Sequence, residues 1–375
     1  SVDLLRGLVM ILMALDHVRF FMAITAFAPE DPTQTTVALF FTRWITHFCA
    51  PVFVFLAGTS AFLYSRNTQC DRKTLCKFLF TRGLWILFTE IFLLNLVAQF
   101  LPYQFLFLQV LWVIGWSMII LSGLIYLPRT PMLIFGLILV FGHNLLDYII
   151  EPGQGGWLYY VLHEKHLFNT EPVPIFIFYP LIPWPGIMVL GYLFGKLVVR
   201  PSPSRNSRIW TAGVIATGLF LLLRAINIYG DPAPWEIQER GVVYTFLSFL
   251  NTSKYPPSLL FTLMTLGPAM LIMPWLEKWK GWKIKFIGVF GKVPFFFYLF
   301  HLLLIHIIAI IWSQLLFGRS EWWLGSPEDY PEGYTPDLTL AFVIWMLVIA
   351  ISYPLCRWFA AYKEANKEKK WLSYL

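Results

Sequence analysis

Residues 4–27 read LLRGLVMILMALDHVRFFMAITAF. An apolar run of that length is what a helix needs to cross a bilayer core of about 30 Å. Yet it carries Arg6 near its start, and Asp16, His17 and Arg19 within one turn of each other. Ionisable side chains at the centre of a membrane helix cost on the order of 3 kcal/mol each, so they normally face a cavity or one another. The stretch sets two expectations: a membrane-spanning fold, and a polar interior within it.

The rest of the chain agrees with the first. Its 375 residues are 58% hydrophobic and 13% charged, with a mean hydropathy of +0.65, whereas a soluble domain is about a quarter charged. The 17 Trp and 17 Tyr are residue types that favour the lipid–water boundary. Apolar runs recur along the whole sequence, which excludes a signal peptide followed by a soluble domain. The short alternating segments of a transmembrane barrel are absent. The fold class expected is all-α, a polytopic membrane helical bundle. About ten spans are predicted at 4–27, 43–65, 77–98, 106–127, 131–150, 179–199, 209–229, 258–277, 286–316 and 338–359, within one domain covering 1–375. Gly291 and Pro294 near the start of the long ninth span suit a bend.

Loops on alternate sides differ in charge. One set holds Arg66, Arg72 and Lys73; Arg129; Arg200, Arg205 and Arg208; Lys278, Lys280, Lys283 and Lys285; and a tail with Lys363, Lys367, Lys369 and Lys370. The other set is acidic, with Glu30 and Asp31, Glu151, Asp231 and the 321–337 segment. By the positive-inside rule the basic set and both termini are cytoplasmic, in a cell (inner) membrane. The net charge of +7 is thereby a matter of orientation and lipid headgroups, and no nucleic-acid partner is expected. The long outer loops are rich in aromatics, Pro and Gly, which favours an ordered lid. Cys49, Cys70, Cys76 and Cys356 follow no metal or redox spacing.

Five of the seven histidines fall inside spans: His17, His47, His143, His301 and His306. Asp16 and Arg19, three apart, share a helix face and can pair. His17 lies about 100° round the helix from Asp16, which cannot orient it. His143 and Asp147 are spaced i, i+4, so the carboxylate could hold one imidazole nitrogen and leave the other as a base. No span holds a His-x-x-x-His or Glu-x-x-x-His pair, and no metal is expected. There is no Gly-x-Ser-x-Gly elbow and no phosphate-binding glycine loop. A bundle with buried histidines and no obvious covalent nucleophile suits general-base chemistry on an amine or hydroxyl. It equally suits a proton-coupled transporter of a small molecule or lipid.

The blocks SVDLLRGLVMILMALDH at 1–17 and THFCAPVFVFLAGTSAFL at 46–63 resemble the opening of the heparan-α-glucosaminide N-acetyltransferase family of transmembrane acyltransferases. The similarity extends to PLIPWPGIMVLGYLFGK at 180–196, LRAINIYGDPAPW at 223–235, SFLNTSKYPPSLLFTLMTLGP at 248–268 and GKVPFFFYLFH at 291–301. These blocks look like the bacterial branch of that family.

The resemblance implies acetyl-CoA as a cytoplasmic acyl donor and a carbohydrate or glycan acceptor on the far side, with a membrane-embedded histidine as base. His17 ranks first for that role, His47 second and His301 third, with Asp16 beside them. Arg6, Arg82 and Lys196 are assigned to the donor. Arg19, Arg43, His143, Arg224, Asn227, Tyr229, Asp231, Asn251 and Lys254 are assigned to the acceptor side, with Arg43 as an oxyanion donor. The partners expected are the lipid bilayer, acyl-CoA and the acceptor, and a homodimer is left open. Acceptor identity, N- versus O-acylation and acyl length are not legible at this level.

Overall fold

The computed structural model describes residues 1–101, 103–369 and 371–372; Lys370 lies outside the described residues. Among the described residues seven helices are long and apolar enough to cross a membrane: Val37–Thr68, Arg72–Gln99, Arg129–Tyr148, Ser204–Ile226, Leu259–Leu276, Pro294–Phe317 and Leu338–Ala365. Two shorter apolar helices, Val110–Leu124 and Trp184–Val198, join them. The first helix, Val2–Met22, is long enough but carries Asp3, Arg6, Asp16 and Arg19. Each of the ten expected segments falls on one of these helices, and the fold is all-α and polytopic.

Several helices are interrupted. Arg72–Gln99 widens to a π-helical turn over Thr89–Leu94, and Arg129–Tyr148 tightens to a 3-10 turn from His143. The expected ninth span is broken at Val293 into Trp282–Lys292 and Pro294–Phe317. Proline has no N–H to continue the first helix, and its fixed φ starts the second.

Close backbone crossings set the frame. A Cβ on Gly291 would lie 1.9 Å from the Asp3 carbonyl oxygen, and one on Gly7 would lie 2.1 Å from that of Ile287. The first helix therefore touches Trp282–Lys292 backbone to backbone, which only glycine permits. Gly58 and Gly191 do the same for helices Cys49–Thr68 and Trp184–Val198, and Thr59 Oγ donates across to Gly191 O at 2.9 Å.

Burial sorts the helices by position. The most apolar window of Leu259–Leu276 is 67% buried, whereas those of Ser204–Ile226 and Leu338–Ala365 are 22% buried. The former is central and the latter two face outward, presenting Leu221, Leu222, Met346 and Trp358. Such surface is expected against lipid and would be an aggregation hazard in water.

The long loops are ordered. Leu106–Leu108, His166–Phe168 and Ile175–Ile177 form a small sheet in which the last strand is central, parallel to the first and antiparallel to the second. Across the bundle, the Arg224 guanidinium donates to the carbonyls of Ala233, Ser248, Phe249 and Asn251. A buried cation is there neutralised by backbone dipoles and ties two loop segments to a helix end. The four cysteines are unpaired.

Candidate active site

The polar residues of the first helix diverge, as their spacing requires. Asp16 accepts from Arg19 Nη2 at 3.1 Å and Nε at 3.3 Å. It also accepts from Arg43 Nη1 at 2.5 Å, and Arg43 Nε faces Glu30 at 3.6 Å. Arg19 and Arg43 are buried. Two carboxylates thus answer two guanidiniums.

His17 points elsewhere. Its Nδ1 lies 2.8 Å from His301 Nε2, with the two rings stacked at 5.0 Å between centroids. His301 Nδ1 in turn lies 2.6 Å from the Phe297 carbonyl oxygen. A carbonyl only accepts, so His301 carries its proton on Nδ1 and offers a lone pair at Nε2. His17 must then donate from Nδ1, which leaves its own Nε2 as a lone pair. The tautomers follow from the hydrogen-bond chain. His301 is fully buried, whereas His17 is partly exposed.

What His17 is exposed to is a chamber of about 40 Å³ that it lines with Asp16, Gln109, Tyr179, Lys254 and Tyr298. Beside it lies a cavity of about 400 Å³. Met13, Phe53, Val110 and Tyr298 line both. The larger cavity is walled mostly by apolar groups such as Met10, Ala57, Ile86, Ile114 and Met118, and carries Arg6, Arg82, Lys292 and Lys363. Lys363 lies within electrostatic reach of both Arg82 and Arg6. Arg6 is fixed by Ser60 Oγ at 2.6 Å, Gly291 O at 3.0 Å and Asp3 at 3.0 Å. Eleven residues of helix separate Arg6 from His17, a rise of about 16 Å. The arrangement is a basic mouth, an apolar corridor and a polar end chamber with an imidazole lone pair.

The other expected site residues distribute unevenly. Lys254 reaches the chamber, and Arg6 and Arg82 reach the corridor. Lys196 is exposed and lines neither space. His47 is buried against the Phe261 ring, outside the chamber wall. Asn227 exchanges hydrogen bonds with the Trp235 backbone, and the Tyr229 hydroxyl donates to Phe141 O. Asn251 offers its carbonyl to Arg224. Asp231 accepts from Ser258 Oγ, from Ser253 N and Oγ, and from Ala233 N. Burial pushes its carboxyl above the ordinary aspartate range, against the opposing pull of those hydrogen bonds. Asp231 and Arg224 together hold the 251–258 loop that carries Lys254.

His143 and Asp147 do not pair as their spacing suggests. Asp147 instead accepts from Asn144 Nδ2 at 2.7 Å and sits 2.7 Å from His163 Nε2. The 3-10 turn from His143 has three residues per turn, which aligns i with i+3 and swings His143 off the carboxylate. This group lies apart from the chamber.

Sequence reasoning did not assign Tyr298, Gln109, Glu90, Lys292 or Lys363 to the site. Glu90, fully buried in the π-helical turn, accepts the N–H of Gln109, the N-cap of Val110–Leu124. An acceptor oxygen there satisfies an orphan donor at the helix N-terminus. Tyr298 stands in the GKVPFFFYLFH block, and its ring meets His17 edge-on at 6.1 Å. Among the described residues no group of three or more His, Cys, Asp or Glu could hold a metal ion.

The family model described as heparan-α-glucosaminide N-acetyltransferase, catalytic, matches residues 1–229. That is more than half of the chain, and the chain belongs to this family. No curated protein matches its sequence.

Proposed function

We propose that this member of a transmembrane acetyltransferase family passes an acetyl group from acetyl-CoA to an amine or hydroxyl of a sugar, with His17 Nε2 as general base. The observation that carries the reading is the chain His17–His301–Phe297 O, which leaves Nε2 of an imidazole lining the chamber with a lone pair.

The two spaces suit the two parts of the donor. Arg6, Arg82, Lys292 and Lys363 would meet phosphates at the basic mouth, and the apolar corridor suits the pantetheine arm. Roughly 10–15 Å³ of such free space holds one water, so the 40 Å³ chamber takes about three heavy atoms, the size of an acetyl group. That favours transfer of a small group over passage of a whole cargo. By charge bias the basic mouth is cytoplasmic and the acceptor arrives from the opposite side, in the cell (inner) membrane.

In the reaction the acceptor's nitrogen or oxygen bonds to the thioester carbon as His17 Nε2 takes its proton. The imidazolium is stabilised through Nδ1–H to His301, whose own N–H is held by a carbonyl. The C–S bond then breaks and the thiolate leaves with its electron pair, taking up the proton from His17. Purified protein should release CoA from acetyl-CoA in the presence of glucosamine or a glycan. The His17→Ala variant should lose this release while still binding acetyl-CoA; full turnover by that variant would rule out His17.

A further inference from the structure

We infer that Lys254 donates to the carbonyl oxygen of the group being transferred and is the oxyanion-stabilising residue of the chamber; this rests on the acyl-transfer reading above. Charge accounting leads to it. Asp16 and Glu30 answer Arg19 and Arg43, whose bonds are directed at one another's carboxylates, and neither arginine lines the chamber. Lys254 does line it, is 7% exposed, lies within electrostatic reach of Asp16 on the same wall, and among the described residues is the one Lys or Arg there. Among the described residues no hydrogen bond or ion pair takes up its N–H donors; its ammonium sits 5.2 Å from the Tyr255 ring centroid.

A buried ammonium with uncommitted donors is costly unless something in the site accepts from it. The loop that carries it is held in place. Asp231 accepts from Ser253 N at 2.8 Å and from Ser258 Oγ at 2.6 Å, on either side of Lys254. Arg224 Nη2 fixes Asn251 O at 2.5 Å. The backbone that carries the donor is therefore set before any substrate arrives, which favours such stabilisation.

The step balances without a further reactant. As the acceptor atom bonds to the carbonyl carbon, the C=O π pair moves onto oxygen, and Lys254 Nζ–H donates to that oxyanion. When the oxyanion collapses, the pair returns to C=O and the C–S bond breaks. His17 holds the displaced proton until the departing thiolate takes it up, and Lys254 keeps its own.

The test uses full-length protein in lipid nanodiscs, with acetyl-CoA as donor, glucosamine or a glycan as acceptor, and CoA release as readout. Lys254→Met should lower kcat by about 10²–10³-fold, while acetyl-CoA binding by calorimetry stays within about twofold. Lys254→Arg, which retains a donor but cannot be acylated, should recover at least tenfold over the Met variant. Wild-type kcat in Lys254→Met overturns the assignment. So does a Lys254→Arg variant as inactive as Met with radiolabelled acetyl retained on Lys254 of the wild type, because the lysine would then be a nucleophile. Loss of acetyl-CoA binding in both Lys254→Met and Lys254→Gln also overturns it, by making the residue part of the donor site. No CoA release by the wild type with any of these acceptors removes the transfer reading itself.

Discussion

His17 and His301 are 284 positions apart in the chain and 2.8 Å apart in space. In the proposed reaction the pair would act as a dyad in which the buried member fixes the tautomer of the partly exposed one. Removing His301 frees the His17 ring and loses the stabilisation of its imidazolium. His301→Ala should lower kcat by about 10²-fold, within the range of general-base effects. Because the two act as a unit, the double variant with His17→Ala should be little worse than His17→Ala alone. Single-turnover kinetics on the three variants checks this.

Asp16 is the shared partner of two buried guanidiniums. Asp16→Asn leaves Arg19 and Arg43 with only Glu30 to answer them. Breaking a buried charge group by removing one member costs about 3–5 kcal/mol, so this variant should lose most of its folded yield. Asp16→Asn combined with Arg19→Met should regain part of it. Fluorescence-detected size exclusion and thermal melting measure both.

The basic mouth makes a prediction separable from chemistry. Lys363→Gln and Lys292→Gln should each raise KM for acetyl-CoA by roughly tenfold with little change in kcat, since on the proposed reading they would remove contacts to a non-reacting part of the donor. The effect should shrink at high salt. An unchanged KM in both variants would show that the phosphates lie elsewhere.

Asp231 gives a pH dependence whose sign is fixed by its environment. Its carboxyl is raised in the folded protein, so the native state holds this proton more tightly than the unfolded chain. Its contribution to stability is fully present below the ordinary aspartate value and is lost as pH rises through the raised value. Melting temperature compared between wild type and Asp231→Ala should converge over that window with rising pH and run parallel above it. A difference that grows with pH would contradict the burial argument.

How much of this was legible in the sequence depends on the range of the interaction. The ten helical segments could be read because twenty apolar residues are a local signal. The Asp16–Arg19 pair could be read because both partners lie on one helix. His17 and His301 were each singled out, but nothing in spacing joins residues on the first helix and Pro294–Phe317. The His143–Asp147 expectation failed because it assumed 3.6 residues per turn where the helix tightens to 3-10. Lys363 was read as an orientation charge because its helix was expected to end at 359; the helix runs to Ala365 and carries the lysine to the cavity. The three strands in the loops, three residues each, are too short to leave a periodicity.

The step in size from about 400 to about 40 Å³ has a consequence for the cell as a whole. A protein that hands material from one face of a bilayer to the other risks short-circuiting the voltage that bilayer sustains. Here Met13, Phe53, Val110 and Tyr298 line both spaces, and three of the four are apolar. In the proposed reaction such an apolar boundary would let an acetyl group reach the chamber while disfavouring charged, strongly hydrated ions.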